Sequence, residues 1–368
     1  MSLYYLSTKL IFENMFRIFT LLLSFKFSIS YKIQASFVFG DSLLDVGNNN
    51  YITSLAKANH HPYGIDFGKP TGRFCNGRTV VDVIEQHLGL GYTPPYLSPN
   101  TCGSVILKGV NYASAAAGIL NYTGHIFVGR INFDAQIDNF ANTREDIISK
   151  IGVRGALKLL KNSLFTVAFG SNDFLDNYLA PGPSIPEWQL LSPESFVAIM
   201  ISTFRVQITR LFTLGARKIV VINVGPIGCI PCMRDLNPFS GDKCVKFPNH
   251  LAQLFNTQLK NLVEELRTDL KGSLFVYGDA YHIMEDIMMN YSKYGFKNTN
   301  SACCHLVGRF GGLIPCDRYS KVCEDRSKYI FWDTFHPSDA ANVIIAKRLL
   351  NGDANDVSPT NVWQLLKA

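Results

Sequence analysis

Charged residues are scarce in this chain. Asp, Glu, Lys and Arg make up 17% of its 368 residues, whereas apolar residues make up 47%. This composition excludes disorder of the whole chain, because disordered chains combine low hydrophobicity with high net charge. The formal net charge of +6 is small for this length, and no Lys/Arg-rich block occurs. The basic stripe of a nucleic-acid-binding protein is therefore missing, and no nucleic acid is expected as a partner.

Several motifs are missing as well. The sequence has no G-x-S-x-G, which marks the nucleophile of ordinary α/β-hydrolases. It also has no G-x-G-x-x-G and no Walker-type loop, the two patterns that would indicate a nucleotide. We therefore expect a protein without a cofactor.

The N-terminal residues 1–30 have the pattern of a secretory signal. The basic Arg17 precedes the apolar run Ile18–Phe25, and small residues follow up to Ser30 at the spacing that signal peptidase prefers. Lys26 interrupts the run well short of the ~20 apolar residues that span a membrane. We predict cleavage near Ser30 and secretion, with an uncleaved anchor or a buried strand as the alternative. No second apolar run reaches the length that spans a membrane, so no stable membrane insertion is expected.

Nine cysteines fit an extracellular protein. They are Cys75, Cys102, Cys229, Cys232, Cys244, Cys303, Cys304, Cys316 and Cys323. The Cys229-x-x-Cys232 pattern and the Cys303-Cys304 pair could suggest zinc ligands, but disulfides are the better interpretation in an oxidising compartment. No metal is therefore expected. Because nine is odd, at least one thiol is unpaired or pairs between molecules.

Two asparagines lie in N-x-S/T sequons, namely Asn121-Tyr-Thr and Asn290-Tyr-Ser. In a secreted chain each is predicted to be exposed and glycosylated. The alternative is that a sequon is present but not used.

Short apolar runs alternate with longer helical stretches along the chain. The predicted strands are Ser36–Phe39, Val110–Ala113, Leu164–Phe169, Lys218–Asn223 and Leu274–Tyr277, and the predicted helices are Val80–Leu88, Ile131–Lys161 with a break at Gly152, Pro193–Leu214, Val245–Leu270 and Ser338–Leu350. Uninterrupted apolar strands are typical of a parallel sheet covered on both faces. The alternation predicts a doubly wound α/β fold. No linker or repeat divides the chain, so we predict a single domain over residues 31–368.

Ligands of such sheets bind at the carboxyl ends of the strands. Ser42 lies there, directly after the first predicted strand, where a helical turn would offer free N–H groups to a developing anion. A Gly-Asp-Ser turn is more often only a turn or an N-cap, and Asp41 is expected to cap it. Near the C-terminus, Asp333 precedes His336 by three residues. A serine nucleophile needs such a base and an orienting carboxylate, although an N-cap Asp and a surface His fit the same pattern.

Two further segments could supply hydrogen-bond donors. Asn172 follows the third predicted strand, and its side-chain amide could donate to an oxyanion. The small residues of Gly109–Gly118 permit close backbone approach, so that an N–H there could be another donor. Each segment taken by itself also fits a tight turn.

Together and in this order, the four segments resemble the GDSL esterase/lipases of the SGNH hydrolase superfamily, in the secreted plant-type branch. They are Gly40–Asn49, Gly109–Gly118, Gly170–Asp173 and Asp333–Pro337. The intervening segments Tyr63–Asp66, Pro70–Arg78 and Gly225–Pro231 resemble that branch too. The resemblance implies a three-layer α/β/α, flavodoxin-like fold and ester hydrolysis without a metal.

By position, the resemblance makes Ser42 the nucleophile, His336 the base and Asp333 the residue that orients His336. It also assigns the oxyanion donors to the Ser42 N–H, the Asn172 side chain and an N–H of the second segment, at Ala116.

The second segment departs from the commoner form of the family, which has glycines where this chain has Ala115 and Ala116. A backbone N–H survives this replacement, and its role is plausible if φ is negative there.

We therefore expect a secreted, monomeric serine esterase or lipase that acts on small-molecule or lipid esters. One alternative is an esterase or acyltransferase directed at carbohydrates or polyphenols with the same triad. Another alternative is a non-catalytic extracellular binding protein. The presence of Ser42, Asp333 and His336 argues against it, because a binding protein would not need all three.

Overall fold

A six-stranded β-sheet forms the centre of the computed structural model, which describes residues 33–180 and 187–368. Its strands are β1 (Ser36–Gly40), β2 (Gly109–Asn111), β3 (Leu164–Ala168), β4 (Lys218–Ile222), β5 (Leu274–Gly278) and the edge strand Val357–Ser358. Strands β2-β1-β3-β4-β5 are parallel and lie in that order, which is the flavodoxin-like order. The edge strand pairs antiparallel with β5. The five predicted strands are confirmed, with ends shifted by one or two residues.

Both faces of the sheet are buried, and most residues of its strands are apolar. Phe37 and Phe39 of β1 belong to one core cluster, whereas Val38 between them belongs to a second cluster. Successive side chains of a strand point to opposite faces, so the two clusters are the two faces of the sheet. A three-layer α/β/α architecture follows, as expected.

Helices cover each face. Those packed on the face of Phe37 are Phe133–Lys161, Pro193–Leu214 and Lys246–Asp269, and those on the opposite face are Val80–His87, Ala280–Met289, Asp339–Asn351 and Val362–Lys367. Shorter helical segments are Ser171–Asp173 continuing into Phe174–Tyr178, Pro231–Leu236, and the single turns Asn48–Tyr51, Gly103–Lys108, His125–Phe127, Glu187–Leu190, Ile227–Cys229, Pro238–Ser240 and Arg326–Lys328. The break predicted at Gly152 is present, because its φ is 72° inside the helix Phe133–Lys161.

The helix Pro193–Leu214 has the bounds that its end signals predict. Ser192 caps its first turn, and Gly215 ends it with a φ of 119°. Its length and composition would allow it to cross a membrane, which corrects the expectation that no second run is long enough. Its side chains Phe196 and Phe204 pack into the core. The core helix of a globular protein can be as long and as apolar as a membrane-spanning helix.

Three disulfides confirm that the cysteines serve as cross-links. They are Cys229–Cys244, Cys303–Cys323 and Cys304–Cys316. Free thiols remain at Cys75, Cys102 and Cys232. Cys229 and Cys232 of the Cys-x-x-Cys pattern are therefore not bonded to each other. The last two disulfides tie residues 303–323, which hold the small strands Cys304–His305 and Lys321–Val322. The strands Asn298–Ala302 and Tyr329–Phe331 lie on either side of this segment and pair with each other.

Residues Ile33–Ala368 form one compact unit. The predicted signal peptide and its cleavage near Ser30 lie outside the described residues.

Candidate active site

The structure brings Ser42, His336 and Asp333 together at the carboxyl edge of the sheet. Ser42 lies just after β1, and its Oγ is 2.7 Å from Nε2 of His336. Nδ1 of the same ring lies 2.8 and 2.9 Å from the two carboxylate oxygens of Asp333. With Nδ1 donating to the carboxylate, Nε2 is left to accept the serine hydroxyl, so this chain of hydrogen bonds can take up the hydroxyl proton.

Asp333 is held as a charged acceptor. The backbone N–H groups of Phe335 and His336 donate to its Oδ1 at 2.9 and 2.8 Å, and the Tyr63 hydroxyl donates to its Oδ2 at 2.7 Å. Burial by itself raises the pKa of Asp333, but the charge of His336 and these hydrogen bonds outweigh it, so the pKa lies below its usual value. An ionised Asp333 keeps Nδ1 of His336 a donor.

Asp41 caps the turn that presents Ser42, as expected. Its side chain accepts a hydrogen bond from the Leu43 N–H at 3.0 Å, and its carbonyl accepts from the Leu44 and Asp45 N–H groups. Burial raises the pKa of Asp41 to about 7, against the opposing effects of the Leu43 N–H and the charge of His336. The carboxyl next to the triad therefore changes charge in the neutral pH range.

Three donors face the space beside Ser42. Nδ2 of Asn172 donates to the Ala117 carbonyl at 3.0 Å, and its second hydrogen remains available. In the described part of the chain the N–H groups of Ser42 and Ala116 have no acceptor, and all three residues line one cavity. The site thus has the donors that an oxyanion needs.

The backbone at Ala116 differs from the expectation, because its φ is +66° rather than negative. The Ala117 N–H donates to the Ser114 carbonyl at 3.1 Å, which makes Ala116 the third residue of a tight turn. A type II turn needs a positive φ at this position and favours glycine there. The glycine of the commoner family form thus has a conformational reason, and the alanine bears some strain.

Buried polar side chains fasten the Ser42 segment to the Ala116 segment, and the sequence analysis missed them. Oδ2 of Asp45 accepts from the Ala115 N–H at 3.0 Å, and Oδ1 of Asn49 accepts from the Ser114 hydroxyl at 2.6 Å. Burial raises the pKa of Asp45 to about 6. The sequence feature that could have indicated these contacts is the group of polar residues at Asp45 and Asn48–Asn50, in a chain with few charged residues.

Asp173, next to Asn172, fastens the third segment in a similar way. Its carboxylate accepts from the N–H groups of Ile119 and Leu120 and from the Thr123 hydroxyl. The backbone next to Asn172 is therefore held against the segment that contains Ala117, to which the Asn172 side chain also donates.

A cavity of about 380 Å³ opens beside the Ser42 hydroxyl. Its lining is largely apolar and includes Leu44, Ile222, Ile230, Met284, Ile345 and Leu349. The exposed side chains of Leu55 and Ile314 stand at its opening, and Lys57, His60 and Asp176 add polar groups. Within residues 33–180 and 187–368, no group of three or more His, Cys, Asp and Glu side chains has a metal-binding arrangement.

Both predicted glycosylation sites lie on the surface. Asn121 and Asn290 are exposed, and Nδ2 of Asn290 donates to Asp286 at 2.7 Å. The structure is therefore compatible with a glycan at either position.

The sequence of this chain is similar to those of known proteins over most of its length. Residues 37–349 match the family described as GDSL-like lipase/acylhydrolase. A GDSL esterase/lipase of Arabidopsis thaliana is 59% identical over 335 residues, which are 91% of each protein. A second one from the same plant is 48% identical and covers 90% of this chain and 88% of its own. GDSL esterase/lipase 7 of Arabidopsis thaliana is 47% identical, with 90% and 92% covered.

Among solved structures, phospholipase A1 from Streptomyces albidoflavus is a remote match. It is 14% identical, with a TM-score of 0.31 over 84% of this chain and 94% of that chain. The family assignment follows from the sequence matches alone. Since one family covers most of the chain and its relatives are up to 59% identical, the chain belongs to the GDSL-like lipase/acylhydrolases, which are carboxylic ester hydrolases.

Proposed function

We propose that this protein hydrolyses carboxylic esters through Ser42, His336 and Asp333. Ser42 Oγ attacks the acyl carbon while its proton passes to Nε2 of His336, and Asp333 stabilises the imidazolium. The intermediate then loses the alcohol, whose oxygen takes the proton from His336, and the acyl group stays on Ser42. The observation that carries the proposal is the unbroken chain of short hydrogen bonds from Ser42 to Asp333.

Water completes the cycle. It attacks the acyl carbon as His336 accepts a proton, which then returns to the oxygen of Ser42 as the carboxylic acid departs. In both steps negative charge develops on the former carbonyl oxygen. The N–H groups of Ser42 and Ala116 and the free hydrogen of Asn172 are proposed to stabilise it.

The favoured substrates are lipid-like esters with an apolar acyl chain. The cavity beside Ser42 has the size and apolar lining typical of small-molecule sites, and its inner residues Met284 and Leu349 are buried. Burying one CH₂ group contributes about 0.8 kcal/mol. The value of kcat/KM should therefore rise about fourfold for each added methylene until the cavity is full.

We also propose that the enzyme is secreted as one domain of residues 31–368, after cleavage near Ser30, and acts as a monomer. The three disulfides support an oxidising compartment, and the exposed sequon residues Asn121 and Asn290 can accept glycans there. No nucleic acid and no stable membrane insertion belong to this function.

A fluorophosphonate probe tests the nucleophile. It should label Ser42, as located by peptide mass mapping, and Ser42→Ala should lose both labelling and activity while keeping its melting temperature. Ser171 also lines the cavity, so Ser171→Ala is the matched control and should still be labelled. Labelling at Ser171, or activity that survives in Ser42→Ala, would reject the mechanism.

A series of p-nitrophenyl esters with acyl chains of increasing length tests the substrate class. The acetyl ester should be the poorest of the short members. If kcat/KM falls steadily from the acetyl ester upward, the apolar cavity does not bind the acyl chain, and lipid-like substrates are rejected.

A further inference from the structure

Tyr63 contacts the acid of the triad, although sequence reasoning gave it no role. Its hydroxyl donates to Oδ2 of Asp333 at 2.7 Å across 270 residues of sequence. Both residues are buried, with 3% of Tyr63 and 1% of Asp333 exposed. Tyr63 begins the segment Tyr63–Asp66, which resembled the plant-type branch and otherwise has no part in the mechanism.

We propose that Tyr63 is a positioning residue, whose hydroxyl fixes the Asp333 carboxylate against His336 and moderates the negative charge that the imidazole experiences. The inference rests on the proposed function, since it requires His336 to act as the base. It adds a fourth member to the hydrogen-bonded chain that ends at Ser42.

The ring of Tyr63 is held on several sides. It meets Trp332 edge-on at 6.3 Å and Phe74 at 5.9 Å, and Phe74 in turn lies 5.1 Å from the ring of His336. The hydroxyl therefore cannot swing away from Asp333 without disturbing the packing around the imidazole.

The segment that follows Tyr63 is tied to the same part of the fold. Both carboxylate oxygens of Asp66 accept from Arg326 at 2.7 Å, and Oδ2 also accepts from Asn76. The N–H of Asp339, three residues beyond His336, donates to Oδ1 of Asn76 at 2.8 Å. These contacts hold the Asp66 end of the segment, and the hydrogen bond to Asp333 holds the Tyr63 end.

The Tyr63 hydroxyl stays a donor throughout the working pH range. Burial and the adjacent charge of Asp333 raise the pKa of Tyr63 well above its usual value. Its hydrogen bond satisfies Oδ2, while the N–H groups of Phe335 and His336 satisfy Oδ1. Because the O–H dipole points its positive end at the carboxylate, it reduces the field that favours a protonated imidazole.

Loss of the Tyr63 hydroxyl should therefore shift the pH profile of kcat/KM towards higher pH. In Tyr63→Phe, Asp333 has its full negative charge available to the imidazolium, so a higher pH is needed to free the base. The acid limb of kcat/KM should move up by about half a pH unit, and kcat should fall about tenfold with KM nearly constant. A merely structural tyrosine would lower the melting temperature and leave the limb in place.

Other ionisable groups face the Asp333–His336 pair and enter the design. Asp41 interacts with the charge of His336, and Cys75 with that of Asp333. Asp317 interacts with Tyr63, and Asp339 with Cys75. Asp41 changes charge near pH 7 and so lies in the measured range. The comparison is therefore repeated with Asp41→Asn in both proteins, where the shift caused by Tyr63→Phe should persist.

Tyr294→Phe is the matched control. The Tyr294 hydroxyl also donates to a carboxylate, that of Asp286, but neither residue lines the cavity. Its pH profile should coincide with that of the unmodified enzyme. If Tyr63→Phe fails to fold, a ring-fluorinated tyrosine at position 63 replaces it. Its more acidic hydroxyl donates a stronger hydrogen bond, so the acid limb should move down.

The outcomes separate this inference from the function on which it rests. If kcat/KM of the unmodified enzyme does not fall at acid pH, His336 is not the base and the proposed function is rejected. An unmodified enzyme with the limb, together with variants at position 63 that leave it unmoved, would reject the role of Tyr63 alone.

Discussion

Replacing Asn172 by alanine should affect catalysis and stability together, and the structure indicates how much of each. The side chain has two amide hydrogens, of which one binds the Ala117 carbonyl at 3.0 Å, and the residue lines the cavity, where the other hydrogen is proposed to donate. Loss of one oxyanion donor typically costs about 10²–10³ in kcat, or about 2.7–4 kcal/mol. KM should change little, because this hydrogen bond strengthens mainly in the transition state.

The stability effect comes from the other hydrogen. Ala117 is fully buried, so its carbonyl would lose its side-chain donor without gaining water. Leaving a buried acceptor unsatisfied costs about 1–3 kcal/mol. For a unit of this size that corresponds to a melting temperature lower by about 1–4 °C.

Both quantities can be measured on one purified variant, by steady-state kinetics with a soluble ester and by thermal unfolding. Asn237→Ala is the matched control, because its Nδ2 also donates to one backbone carbonyl, that of Met233 at 2.8 Å, but it does not line the cavity. Asn237→Ala should lower the melting temperature and leave kcat unchanged. A near-normal kcat in Asn172→Ala, with a lowered melting temperature, would show that Asn172 only closes its turn and would refute the oxyanion assignment.

Three further predictions concern stability and processing. Burial raises the pKa of Glu85 to about 7, so between about pH 4.5 and 7 the folded state holds a proton that the unfolded state has lost, and stability falls as the pH rises. From about pH 5 to 8, urea unfolding should show that the unmodified protein loses about 2–3 kcal/mol more than Glu85→Gln, whereas the exposed Glu145→Gln should follow the unmodified protein. Ala116→Gly should keep kcat and gain up to about 1 kcal/mol of stability, because the left-handed backbone disfavours alanine; a clear loss would contradict the positive φ. Glycosidase treatment of the secreted protein should reduce its mass in two steps, which Asn121→Gln and Asn290→Gln each reduce to one; an unchanged mass would reject glycosylation.

Local patterns were sufficient for the five parallel strands and the five helices predicted beside them, but not for the helices Ala280–Met289 and Val362–Lys367 or the edge strand Val357–Ser358. The apolar run before Gly40 and the Ser192-Pro193 start of a helix depend on neighbours in the chain, and their bounds agree closely with the structure. The order of segments along the chain was also sufficient to recognise the family and to single out Ser42, Asp333 and His336.

Other features depend on residues that are distant in sequence. The pairing of Cys229 with Cys244 rather than Cys232 could not be read from spacing, because several pairings fit the same nine cysteines. The positive φ of Ala116 was contrary to expectation, since it arises from a turn closed between Ser114 and Ala117.

The sequence by itself determined the five buried strands and most of the long helices, indicated that the strands form a parallel sheet, and singled out the residues proposed to carry the chemistry. Only the tertiary structure decided the 2.7 Å approach of Ser42 to His336, the donation from Tyr63 to Asp333 and the apolar cavity beside them. The physical reason is the range of the interactions. Strand and helix preferences act between near neighbours, whereas these contacts join residues 270 and 294 positions apart and exist only when the whole sheet has assembled.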